Sequence, residues 1–194
     1  TLDELGAALE TATAAGWRAL ILTGSAGHFC AGADLTELED REFTVRLRVV
    51  LNRLIHHQAV TIADIAGSCM GLGMQLASAC DVRVVHDTAK FAIPIAKLGL
   101  MVDRETLLRV AETFGAAAAR QMALCADILD ADDAFRYGFA QWRGADNHSA
   151  EIAKRIVALA PLAIQGTKEG LNSLHLEEDP RYEAAFVRAW ESAD

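Results

Sequence analysis

Proline, cysteine and aromatic residues are all scarce in this sequence of 194 residues: 3 Pro, 4 Cys and 6% Phe, Trp and Tyr. So little proline excludes a proline-rich linker. Cys30, Cys69, Cys80 and Cys125 stand singly, with no CxxC pair and no metal-ligand spacing, so they read as free thiols and no metal site is expected. Basic residues are in the minority, 18 Lys and Arg against 27 Asp and Glu, for a net charge of −9. A sequence-blind nucleic-acid binder needs the opposite balance. No apolar run approaches the ~20 residues of a membrane span. No charged leader followed by an apolar stretch opens the sequence. Unpaired thiols without an export signal make the cytoplasm the expected compartment. Three glycine-loop signatures are missing as well. Gly67, Gly71 and Gly73 stand in the wrong order for a dinucleotide fingerprint, and neither a Gly-Lys-Ser/Thr phosphate loop nor a G-x-S-x-G elbow occurs.

What remains is ordinary globular composition, 52% hydrophobic and 23% charged. Leu2, Leu5, Leu9 and Ala12 recur at helical spacing over residues 2–15. Residues 19–22 form a short apolar run that predicts a buried strand. Val45, Leu47, Val50, Leu51, Leu54 and Ile55 then give a helix over 42–57 its apolar side. Strands are expected at 60–65, 82–85 and 90–94, with a small-residue helix from about Leu72 to Ala79. Strand alternating with helix, with near-continuous apolar strands, predicts an α/β fold with a parallel sheet covered on both faces. From Glu105 onward the pattern is mostly helical, so residues 1–104 read as an α/β core and 105–194 as a helical region suited to oligomerisation.

Two loops carry chemical potential. Ser25 to Asp34 follows a buried strand, and its side chains are small enough for a ligand to approach the main chain. Gly67 to Gly73 leads from a strand into a helix, whose first-turn N–H groups have no partner within the helix and point outward. Such N–H groups hold a phosphate, a carboxylate or a developing oxyanion. Taken singly, each loop is equally well read as a tight turn.

The stretches LTGSAGHFCAGADLTEL, IADIAGSCMGLGMQLASACDVRVV and KFAIPIAKLGL, with ADDAFRYGF and APLAIQGTKEGLN further on, together resemble the enoyl-CoA hydratase/isomerase (crotonase) superfamily. The resemblance implies a crotonase-like spiral of ββα units with a C-terminal helical trimerisation region, assembled as a homotrimer or hexamer. It implies an acyl-CoA or enoyl-CoA thioester as ligand, in fatty-acid metabolism, with no cofactor beyond it. By the same resemblance the N–H groups of Ala33 and Leu72 form an oxyanion hole for the thioester oxygen. Ala31, Gly32, Ala33, Asp34 and Leu35 fall in the segment that contacts CoA. Two such donors spread the charge of a thioester enolate onto oxygen, and losing one typically costs ~3–4 kcal/mol of barrier. Because the donors are main-chain, Leu72 in place of a family glycine keeps its own.

The departures from the family pattern fall on proton transfer. One family glutamate is Gln75 here, and the second is Ile95, directly after Pro94. Syn hydration needs a base for water and an acid for the α-carbon, each worth ~10²–10⁴-fold. Gln75 holds a water but does not shuttle its proton, and Ile95 does neither, so ordinary hydratase activity is not expected. Asp103 matches a position where dienoyl-CoA isomerases and chlorobenzoyl-CoA dehalogenases of the family carry a catalytic Asp; its plainer reading is a helix N-cap. The Gln75, Ile95 and Asp103 combination, with KLGLMVD and APLAIQ, resembles a mycobacterial branch that binds fatty acyl-CoA without hydrating it. A non-catalytic carrier or sensor, a scaffold that keeps only the trimer surface, and altered chemistry through Asp103 are the alternative readings. By the resemblance, the matched stretch is expected to start at the family's first helix and to stop before its last one. His28 reads as a loop histidine or a contact at the pocket mouth, and Lys97 as a surface lysine or a phosphate contact.

Overall fold

Short β-branched and aliphatic runs separated by small-residue helices build two sheets. The structure is a computed structural model that describes residues 2–33, 41–99, 102–173 and 184. In chain order the elements are α1 (Leu2–Ala14), β1 (Ala19–Thr23), α2 (Arg41–Ile55), β2 (Val60–Ile65), β3 (Ser68–Met70), α3 (Leu72–Ala79), β4 (Val82–Val85) and β5 (Lys90–Ala92). A 3-10 turn over Pro94–Leu98 leads to α4 (Arg104–Thr113), α5 (Ala116–Leu124), β6 (Leu129–Asp130), α6 (Ala131–Arg136), β7 (Trp142–Arg143), α7 (His148–Ile156) and α8 (Pro161–Asn172).

The larger sheet has the order β1-β2-β4-β7 and is parallel throughout. The second, β3-β5-β6, is mixed, with β5 antiparallel to β6. The expected α/β architecture is present, with three strands added. β3 occupies the segment expected to be a turn, while β6 and β7 interrupt the helical C-terminal half. The parallel sheet is covered on both faces at β2 and β4: Ala63, Ile65 and Val85 enter the main core, whereas Ile62 and Val84 meet Ile152 of α7. β1, at the sheet edge, departs from the expected buried strand, since Ile21 is 40% exposed. The α2 stripe is also displaced from expectation. Phe43, Val50, Leu54 and Ile55 are buried, but Val45 is 62% exposed.

The main core draws on both sides of residue 104. Phe91 of β5, Phe114 at the end of α4 and Phe139 meet with centroids 5.5, 5.3 and 4.4 Å apart, a geometry that adds to their burial. Polar ties fix the periphery. Lys168 of α8, buried, pairs with Asp81 at 2.7 Å and donates to the Ala59 carbonyl at 2.9 Å. Asp81 in turn accepts from the N–H and hydroxyl of Thr61. Ser149 of α7 donates to Asp64 of β2 at 2.6 Å. Cys69 and Cys80 are buried free thiols. Burial pushes both up, Cys80 to about 12, so neither supplies a thiolate near neutrality. Among the described residues no helix is long and apolar enough to cross a membrane, and no group of three His, Cys, Asp or Glu is placed to hold a metal.

His57 follows α2 in the interior. Its Nδ1 accepts from the Ala59 N–H at 3.0 Å, so that nitrogen must stay unprotonated, and Nε2 lies 3.0 Å from the Thr13 hydroxyl. Burial holds its pKa below the usual 6.5, against the raising pull of the Leu9 carbonyl. The unfolded chain therefore binds this proton first, and stability present above about pH 6.5 falls as the pH drops toward the folded value. The thermal midpoint is expected to decline between pH 7.5 and 5, with a shallower decline in His57→Gln, as calorimetry across that range will read.

Candidate functional site

The two glycine-bearing loops become one structure through main-chain pairing. Phe29 N–H donates to the Ala66 carbonyl, Cys30 N–H to Ser68, and Met70 N–H back to Cys30, at 2.9, 2.9 and 2.8 Å. Cys30 and Cys69 thereby form a parallel bridge, so the first loop runs beside β3 in the same direction. His28 adds a side-chain tie, its Nδ1 accepting from the Ser68 N–H at 3.0 Å. This is a third role, neither the free loop histidine nor the pocket-mouth contact that its position suggested.

Ala33 and Leu72 each lie three residues beyond the Cys30–Cys69 bridge. Neighbouring parallel segments are ~4.8 Å apart, so the two N–H groups leave the same end of the pairing. Leu72 is the first residue of α3, and its N-cap, Gly71, makes no side-chain cap. Among the described residues neither the Ala33 nor the Leu72 N–H has a hydrogen-bond acceptor. Two glycines permit this approach. Gly71 has φ +52° and ψ −105°, a conformation closed to residues with a side chain, and a Cβ on Gly73 would come 2.4 Å from the Cys30 carbonyl oxygen. Ala31 and Gly32 are exposed and Ala33 is half-buried beside them; Asp34 and Leu35 lie outside the described residues.

A cavity of about 490 Å³ opens between α2, α3 and α4. Gln75 lies on its wall, one helical turn past Leu72 and so on the same face of α3. The Gln75 Oε1 is buried without a hydrogen-bond partner among the described residues. Asp103 lies on the same wall, so the fold brings these two expected residues together. Ile95 does not line this cavity; it sits in the 3-10 turn, half-buried and packed against the main core. Lys97, two residues on, is exposed.

The Asp103 carboxylate caps α4. Oδ1 accepts from the Thr106 N–H at 3.0 Å and Oδ2 from the Thr106 hydroxyl at 2.7 Å. Partial burial raises its pKa, but the Thr106 bonds and the N–H groups of Asp103 and Glu105 outweigh it and hold the acid below the usual range. An ionised cap accepts hydrogen bonds; it is a poor general acid at neutral pH. Arg48, Arg104 and Arg109 also line the cavity, and sequence reading passed over them. The sequence carried no signal for Arg109: only the structure sets it beside buried Val110 and one turn from buried Thr106.

The model of the enoyl-CoA hydratase/isomerase family matches residues 1–185. The "Probable enoyl-CoA hydratase echA6" of Mycobacterium leprae is 36% identical over 100% of this chain and 81% of its own length. Among solved structures, an enoyl-CoA hydratase/carnithine racemase from Magnetospirillum magneticum superposes with a TM-score of 0.88 at 28% identity, over 100% of this chain and 78% of the other. Pseudomonas aeruginosa DspI does so with a TM-score of 0.89 at 27% identity, over 98% and 84%. With that match along nearly its whole length and the crotonase fold in its structure, the chain belongs to the enoyl-CoA hydratase/isomerase family.

Proposed function

We propose that the protein binds the CoA thioester of a fatty acyl or enoyl group, with the N–H groups of Ala33 and Leu72 on the thioester oxygen and the acyl part in the cavity between α2, α3 and α4. CoA runs along Ala31, Gly32, Ala33, Asp34 and Leu35, and the setting is fatty-acid metabolism. One observation carries the reading: two N–H groups without acceptors among the described residues, at matched register past one parallel bridge. Binding outweighs hydration in this proposal, because Gln75 and Ile95 leave no carboxylate at either proton-transfer position. A carrier or sensor of acyl-CoA satisfies the same geometry.

Proline is tolerated at the first position of a helix but has no N–H. Leu72→Pro therefore removes one donor, while Leu72→Ala removes only bulk. Dodecanoyl-CoA at 100 times its Kd should stabilise the wild type by ~2.7 kcal/mol. Leu72→Ala should keep this gain and Leu72→Pro should lose most of it in a thermal-shift titration. A pure scaffold would show no shift with any form.

Crotonyl-CoA hydration by the wild type should be negligible in a spectrophotometric assay, and Gln75→Glu with Ile95→Glu should raise it. Asparagine caps a helix about as well as aspartate, so Asp103→Asn tests acid chemistry with little effect on folding. It should leave any residual turnover unchanged; a collapsed rate would favour altered chemistry through Asp103.

A homotrimer, or hexamer, completes the proposal. Leu124, Ile128, Leu159 and Leu171 are 74, 61, 55 and 63% exposed, apolar side chains that contact between copies would cover. Sedimentation velocity at micromolar concentration should show a trimer or its double, and monomer alone would overturn this assembly.

A further inference from the structure

The cavity between α2, α3 and α4 combines an apolar wall with buried polar atoms that lack partners among the described residues. Leu47, Leu51 and Leu108 suit methylene groups. Among the described residues its wall carries two carboxylates, Asp103 and Glu105, and three guanidiniums, and Asp103 is already engaged in capping α4. Arg109 is the half-buried guanidinium of the three, and its Nε–H has no hydrogen-bond partner among the described residues. A guanidinium does not shed its proton, so this group must find an acceptor or remain unsatisfied. The Gln75 Oε1, on the same cavity, is the other buried polar side-chain atom without a partner among the described residues. A plain hydrocarbon chain answers neither.

We propose that Arg109 is a specificity-determining residue that pairs with a carboxylate on the acyl group, so that the preferred ligand is the mono-CoA thioester of a dicarboxylic acid. This inference rests on the CoA-thioester reading above. A carboxylate supplies two acceptor oxygens and the opposite charge to a planar donor fork, which a hydroxyl or carbonyl does not. The thioester oxygen sits at Ala33 and Leu72, the methylenes pass the leucines, and the free carboxylate ends at Arg109. Arg109 lies six residues beyond the Asp103 cap, ~9 Å along the α4 axis. Its distance from the thioester is fixed by the fold, so the carboxylate must be delivered at one chain length.

Isothermal titration of the full chain with CoA esters from six to twelve carbons, each ending in methyl, hydroxyl or carboxylate, tests the assignment. At one length the carboxylate-ended ester should bind roughly ten- to hundredfold tighter than its methyl-ended partner. Arg109→Gln should abolish that advantage, so that carboxylate- and methyl-ended esters of that length bind alike, while Arg109→Lys should keep part of it. The proposal is overturned if the carboxylate gives no advantage at any length, if hydroxyl-ended esters bind as well, or if the advantage survives in Arg109→Gln. Methyl-ended esters that bind without any carboxylate advantage defeat this inference alone, whereas no binding by any ester defeats the CoA-thioester reading with it. The wild-type comparison across esters decides the matter even if a variant folds poorly.

Discussion

The fold depends on a buried guanidinium. Arg83 of β4 donates to the carbonyls of Phe139, Cys80, Ala77 and Asp81 at 2.7, 2.9, 3.2 and 3.3 Å, and lies 4.9 Å from the centroid of the Phe139 ring. Ala77 and Cys80 belong to the last turn of α3 and its cap, where carbonyls lack partners within the helix and a positive charge meets the negative end of the dipole. Burial lowers the Arg83 pKa, yet a guanidinium stays charged. The four hydrogen bonds it donates are what make the burial tolerable. Replacing it with an apolar side chain would take this donor from the Ala77, Cys80 and Asp81 carbonyls, each at a cost of ~1–3 kcal/mol, while the Phe139 carbonyl would keep the Gln141 amide at 3.2 Å.

With its C-terminus held by Arg83, α3 has a single position left for its N-terminus. Gly73 lets that end come against the Cys30 carbonyl, and the 28–30 segment is itself stitched to β3. The N–H of Leu72, without an acceptor among the described residues, is therefore positioned by contacts to the main chain at both ends of an eight-residue helix. A site made of main-chain donors tolerates changes of side chain that would end a site made of carboxylates. Leu72 and Gln75 are both consistent with this: each alters the surroundings of the donor without moving it.

Much of this was legible in the sequence, for local reasons. The continuous apolar runs of β2 and β4 and the small-residue helix after Gly71 carry their structure in their own composition, and α1, α2 and α3 fall where periodicity places them. β3 did not show, because three residues between two glycines have the pattern of a turn, and only pairing with Lys90–Ala92 makes them a strand. β6 and β7 are two residues each, too short for any period. Periodicity shows that α2 has an apolar stripe but not where its edge falls, hence exposed Val45 and buried Phe43. The paired loops were recognisable as motifs, but their shared register at Cys30 and Cys69, 39 residues apart, is a tertiary fact. Arg109 was hidden for a related reason: one arginine on an amphipathic helix resembles any solvated charge until the neighbouring helices enclose it.

The residues at 75 and 109 bear on one another. A glutamate at 75, as in the hydratase pattern, would put a carboxylate on the cavity that Arg109 lines, and opposite charges in a partly desolvated space attract strongly. Such a carboxylate would compete with a ligand for the guanidinium. Glutamine carries no charge and leaves that guanidinium available, at the expense of an unsatisfied amide oxygen. Ile95, packed on the core rather than on the cavity, adds no charge either. Gln75 thus removes a proton-transfer group and, among the described residues, leaves the cavity wall with three guanidiniums against two carboxylates, a balance that suits an anionic ligand better than an uncharged one.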